Sequence, residues 1–131
     1  MELRVLGAHN LESRTTRFAS HLIDGVLALD AGGLTRSLTF EEQGRVRTVL
    51  LSHRHFDHVR DLLPLGLAML DRGIAVDAYG IQDTIDYVST RLLDGSLYPA
   101  LARIPTPENP ALRLHPVDYC RPFQVLGYTV T

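Results

Sequence analysis

Lysine and tryptophan are both absent from these 131 residues, and cysteine occurs once, at Cys120. All thirteen basic residues are arginine, which excludes Schiff-base and lysine-nucleophile chemistry. A single cysteine forms neither an intramolecular disulfide framework nor a four-cysteine zinc site. Aromatic residues make up 7% of the chain, too few for a nucleic-acid stacking platform. The formal charge of −2 argues against a protein whose main task is gripping phosphate backbones. No run approaches the roughly 20 apolar residues of a membrane span, and the opening MELRVLGAHN has no basic segment followed by a long apolar one. These absences lead us to expect a cytoplasmic protein with no membrane partner. What is present, 45% apolar and 21% charged residues, is the composition of one globular domain large enough to build a core without disulfide staples.

Along the chain, strand and helix patterns alternate. Glu2 to Gly7 reads as a strand with Leu3 and Val5 on one side, followed by a loop of low apolar content from His9 to Arg17. His21–Asp24 and Val26–Leu29 flank Asp24-Gly25, a hairpin dipeptide. Asp30-Ala-Gly-Gly33 breaks the pattern, and Leu34 and Leu38 hint at a short helix before Gly44. Val46–Leu51 has the look of a buried strand. Asp61 is placed to cap a helix running to about Arg72, with Pro64 in its first turn and Gly73 just past its end. Ile74–Tyr79 reads as a strand, and Ile81, Ile85, Val88 and Leu92 follow helical spacing up to Gly95. Six of the seven prolines lie beyond Tyr98, so Pro99–Pro110 reads as an irregular surface connection. Leu112–Val117 and Phe123–Thr131 are the last strand candidates. The last stays apolar almost to the chain end, so either it pairs within the sheet or the chain is a fragment. The alternation predicts an α/β layered fold.

His53-Arg-His55-Phe-Asp57-His58 packs four metal-ligand side chains into six residues. At this chain's own residue frequencies, such an H-x-H-x-D-H string arises by chance with a probability of order ~10⁻³. It lies between a buried strand and a helix, where α/β sheets place their active sites. In an extended loop His53 and His55 point to one side and converge on one ion, and after the turn Asp57 and His58 address a second position. Imidazoles with a carboxylate suit zinc, manganese or iron. Two adjacent cations can polarise a substrate oxygen and generate a hydroxide nucleophile at neutral pH.

On this string the chain resembles the metallo-β-lactamase superfamily, whose signature is the same H-x-H-x-D-H. The hairpin ending in Leu29-Asp30-Ala-Gly32, a helix, and the strand Thr48-Val-Leu-Leu-Ser52 also follow that superfamily's order, and the likeness is clearest over residues 1 to about 80. The resemblance implies an αββα sandwich of which residues 1–131 form the N-terminal half, cut before the third ligand motif. It implies that His53 and His55 bind the first of two divalent metal ions, zinc foremost, and that Asp57 and His58 bind the second. It further implies that Asp57 orients the attacking water or accepts its proton, and that Asp30 supports the metal loop by hydrogen bonding, without ligating. Where lactamases and glyoxalase-type thioesterases continue with glycines, this chain has Val59-Arg-Asp-Leu-Leu-Pro64, closer to the branch of class II cyclic-nucleotide phosphodiesterases and tRNA-processing endonucleases.

The implied activity is metal-dependent hydrolysis of a phosphodiester or similar ester by a metal-bound hydroxide, on a small-molecule or nucleotide-type substrate. After His58 the only histidine is His115, placed before the last strand candidate, whereas the superfamily's next ligand follows such a strand. A competing expectation is therefore a non-catalytic half-domain that pairs with a complementary C-terminal half or a second copy. His9 and Asn10 read as turn residues, His21 as structural, Cys120 as a packing or surface thiol, and Arg54 and Arg60 as flanking cations able to meet a phosphate.

Overall fold

A computed structural model describes all residues from Met1 to Thr131. Six strands form one mixed sheet in the order β1-β2-β3-β4-β5-β8. Their ranges are β1 Leu3–Gly7, β2 Ser20–Ile23, β3 Leu27–Leu29, β4 Thr48–Leu50, β5 Val76–Ile81 and β8 Leu112–Val117. β1 to β3 pair antiparallel, and β3, β4, β5 and β8 run parallel to one another. The turn between β2 and β3 puts Asp24 (φ 48°) and Gly25 (φ 74°) both at positive φ, the geometry that suits the twist of a tight hairpin.

The crossovers carry the helices: a 3₁₀ turn Thr35–Ser37, α1 Phe40–Gln43, α2 Phe56–Val59, α3 Leu62–Asp71, and α4 Gln82–Tyr87, which continues as a π-helical turn Val88–Leu92. A capping box between Thr39 and Glu42 starts α1, and Gly73 at φ 65° follows the end of α3. No helix is long and apolar enough to cross a membrane.

Register decides the two faces of the sheet. The row Leu22, Ala28, Val49, Ala78 lies on one side and is buried with Leu62, Leu65 and Met69 of α3, forming the main core. The alternate row Val5, His21, Leu29, Leu50, Tyr79, His115 faces away from the helices. Leu3 and Val5 are on that second side and remain exposed, while Leu6 packs against the core.

Several elements differ from the sequence expectation. Phe123–Thr131 is a hairpin rather than one strand: β9 Phe123–Val125 and β10 Tyr128–Val130 pair only with each other. The turn puts Leu126 (φ 48°) and Gly127 (φ 82°) both at positive φ, and a leucine at the first of these places, where Asn, Asp or Gly is favoured, left the lone glycine as a weak signal. The hairpin lies on the second face, with Phe123 stacked on Tyr79 (ring centroids 5.4 Å apart) and the Tyr128 hydroxyl donating to Asp24. Ile81 ends β5 instead of opening the helix. Asp61 precedes α3 but makes no side-chain cap; its buried carboxylate accepts from the Thr35 backbone N–H (2.7 Å) and hydroxyl (2.9 Å). The proline-rich stretch contains two short strands, β6 Pro105–Thr106 and β7 Asn109–Pro110, and is not wholly superficial, because Leu101 is fully buried.

Leu101 thus ties that stretch to the core beside Gly66 of α3 and Leu112 of β8. Leu101→Ala is expected to lower stability by about 2–5 kcal/mol, the usual cost of a large-to-small change in a packed core. Urea unfolding followed by circular dichroism measures it, and a loss below the noise would mean that the stretch contributes no core.

Candidate metal centre

The parallel register Leu29↔Leu50 sets the carboxyl ends of β3 and β4 side by side, so the loops that follow them meet. They interlock through the backbone: Asp30 N–H donates to Leu50 O (2.8 Å), Ala31 N–H to His58 O (2.7 Å), and Asp61 N–H to Ala31 O (2.6 Å). Space between them is so tight that a Cβ on Gly32 would lie 1.7 Å from the Asp57 carbonyl oxygen. Only glycine permits this approach.

Asp30 itself sits at φ 58°, a conformation that costs a non-glycine residue free energy and that clusters at functional sites. Its buried carboxylate accepts three donors. Ser52 N–H reaches Oδ1 (2.8 Å), the Ser52 hydroxyl lies 2.8 Å from Oδ2 and 3.0 Å from Oδ1, and His58 Nδ1 lies 2.7 Å from Oδ2. The Ser20 hydroxyl holds the Asp30 carbonyl at 3.0 Å.

The four residues of the string come together in two pairs. His53 Nε2 and His55 Nδ1 are 3.1 Å apart, and His58 Nε2 and Asp57 Oδ2 are 3.4 Å apart. The His53 and His58 rings lie 4.0 Å apart centre to centre, so the two pairs are neighbours. Burial and the adjacent His58 and His55 imidazoles hold the His53 pKa below the ordinary histidine value, which favours the neutral, ligand-ready ring. Each pair fits one divalent cation as far as two ligands can, with the donor types that suit zinc. No three histidine, cysteine, aspartate or glutamate side chains are arranged to hold one ion together.

The flanking arginines are already engaged. Arg54 pairs with Asp83 and lies over the Tyr87 ring (5.6 Å). Arg60 pairs with Glu12 (2.6 Å) and Asp61 (2.8 Å) and covers the Phe18 ring (4.8 Å), tying the 9–17 loop to the metal loop. The Glu12 carboxyl is held below its usual range by the Arg60 hydrogen bond. His9 bridges to Phe18 and His21 pairs with Leu29 in the sheet. His115 hydrogen-bonds Asp77 (2.7 Å) and stacks on Tyr79, and Cys120 is free and exposed. None of these joins either ligand pair. Ser52 was not singled out from the sequence, because a serine beside a histidine carries no pattern of its own.

These loops define an α/β protein with a histidine–aspartate loop at the carboxyl end of a parallel strand, braced by an aspartate from the neighbouring strand. The chain has the metallo-β-lactamase fold. It is similar to the metallo-β-lactamase fold protein YhfI from Bacillus subtilis, with 18% identity, 97% of this chain and 49% of that one covered, and a TM-score of 0.69. It is also similar to the short form of human tRNase Z, with 20% identity, 88% and 44% coverage and a TM-score of 0.62. A diphosphatase of the PhnP family matches at 17% identity, 97% and 54% coverage and a TM-score of 0.61. The chain spans about half the length of these structures. No protein-family model and no curated protein sequence matches it.

The contact at Gly32 makes a direct prediction. Gly32→Ala should push the Asp30 and His53–His58 loops apart and weaken zinc binding at least as much as loss of a residue that orients a ligand, about 10- to 100-fold. Isothermal titration with zinc chloride reads this, and wild-type affinity in the variant would mean that the two loops move apart freely.

Proposed function

We propose that the His53–His58 loop serves a metal-dependent hydrolase acting on phosphoesters, phosphodiesters foremost, of a small-molecule or nucleotide type. The observation that carries the reading is the pairing of His53 with His55 and of Asp57 with His58 over the Asp30 carboxylate. His53 and His55 would hold one divalent cation and Asp57 and His58 a second, zinc being favoured by the ligand types. Bound there, the cations would polarise a phosphoryl oxygen and make a water nucleophilic at neutral pH.

The chain's own groups do the rest. Asp57 turns Oδ2 toward His58 and keeps its other oxygen for orienting the attacking water and taking its proton. Asp30 fixes the His58 ring through Nδ1 and leaves Nε2 to the ligand pair. Arg54 and Arg60, occupied by carboxylates, leave the substrate phosphate to the cations. The preference for phosphoesters rests on Val59–Pro64 in place of a glycine-rich stretch, and on the tRNase and the diphosphatase among the structural neighbours. Two ligands per cation are one short of a catalytic zinc site. The missing ligands come, in this reading, from a complementary C-terminal half or from a second copy, in the cytoplasm.

The test is a zinc titration joined to a substrate panel. In the protein expressed from its full coding region, His53→Ala and His55→Ala are each expected to remove most of one zinc equivalent by elemental analysis; unchanged stoichiometry in both would end the assignment. The 131-residue chain alone is expected to lose zinc on dialysis and not to hydrolyse bis(4-nitrophenyl) phosphate at enzymatic rates. The protein expressed from its full coding region should cleave that diester in preference to a thioester or a lactam. Retained zinc and fast turnover by the isolated chain would place the remaining ligands within these residues or in a second copy. Lack of diester cleavage by the full coding region's product would leave the half-domain reading.

A further inference from the structure

We infer that Ser52 is a positioning residue that sets the protonation pattern of the His53 ring and, through Asp30, couples the two ligand pairs. The inference rests on the metal-loop reading above and adds to it a residue that neither the motif nor the fold assigns.

It follows from counting hydrogens. The Ser52 hydroxyl has one hydrogen and sits against both oxygens of the Asp30 carboxylate, 2.8 and 3.0 Å away. An ionised carboxylate only accepts, so that hydrogen points to Asp30. The same hydroxyl oxygen lies 3.0 Å from His53 Nδ1. With its hydrogen already committed, it accepts there, and His53 must carry its proton on Nδ1. The His53 lone pair is then on Nε2, the atom that faces His55 Nδ1 at 3.1 Å.

The second histidine is set by the same carboxylate without an intermediary. His58 Nδ1 donates to Asp30 Oδ2 at 2.7 Å, with the Ser52 oxygen beside it at 3.3 Å, and its lone pair is on Nε2 facing Asp57. One carboxylate therefore prepares Nε2 of a histidine in each pair, one directly and one through the serine. Ser52 is anchored for the task by its own backbone N–H, which donates to Asp30 Oδ1 at 2.8 Å. Alanine at this position keeps the backbone bond and removes the acceptor for His53. Nothing else in the structure hydrogen-bonds His53 Nδ1.

The experiment reads the ring nitrogens directly, in the 131-residue chain without metal. Long-range proton–nitrogen NMR on ¹⁵N-histidine-labelled chain at neutral pH should show His53 protonated at Nδ1. Ser52→Ala should give a mixture of tautomers at His53 and leave His58 unchanged, and Ser52→Thr, which keeps a hydroxyl, should restore the wild-type pattern. Calorimetric titration with zinc chloride should then show affinity reduced about 10- to 100-fold in Ser52→Ala and recovered in Ser52→Thr. Ser52 is exposed at a strand end, so the alanine variant is expected to fold, and circular dichroism checks it. His53 protonated at Nε2 in the wild type, or an unaltered tautomer in a folded Ser52→Ala, overturns the inference. If the tautomer responds but zinc binds none of the chains, the role of Ser52 in setting the His53 tautomer stands, and its effect on zinc affinity in the two-ligand chain is overturned.

Discussion

Three hydrogen bonds converge on the Asp30 carboxylate, from the Ser52 backbone, the Ser52 hydroxyl and the His58 ring, and the geometry of the whole loop depends on them. A buried carboxylate without partners would cost several kcal/mol in lost solvation, and charge-assisted bonds from three donors offset that cost. The same bonds hold Asp30 at positive φ, where an isolated aspartate would be strained by about 1–3 kcal/mol. The strain is sustained because both neighbours of the residue are fixed: Leu29 by the β3–β4 ladder, Ala31 by its bond to the His58 carbonyl.

The sheet explains why this convergence occurs at all. Parallel strands end at the same edge, so residues 22 positions apart become neighbours once β3 and β4 are in register. One face of the sheet is closed by α3 and its neighbours, which makes the edge rigid, and the other carries the C-terminal hairpin over Tyr79. Around the edge, charge is spent on holding loops. Asp61 fastens the 3₁₀ turn, Arg60 fastens the 9–17 loop, and Arg54 fastens α4, so none of these charges is left free at the edge.

A ligand set arranged in twos has a mechanistic meaning. Two protein ligands leave a cation with weak retention and more than one open position, whereas a third would restrict it to a single open position suited to a water or substrate oxygen. The His53 and His58 rings lie 4.0 Å apart, so cations held by the two pairs would be neighbours, able to polarise a shared oxygen. The half-length likeness to YhfI, tRNase Z and the PhnP-family diphosphatase concerns the part of the fold that carries these pairs.

Local patterns in the sequence determined much of this. Asp24-Gly25 specified the β2–β3 hairpin, alternation and β-branching marked the strands, Gly73 ended α3, and the H-x-H-x-D-H string marked the loop and its chemistry. All of these are set by residues within a few positions of one another. Tertiary structure alone decided the rest, because it rests on contacts between distant residues. It turned Asp61 from a helix cap into a brace for Thr35, and it buried Leu101 within a proline-rich stretch. It folded Phe123–Val130 back on itself at a leucine in a conformation that leucine seldom adopts. It also made Ser52 the link between Asp30 and His53, since a hydroxyl acquires a role only when a carboxylate and an imidazole are brought to its two sides.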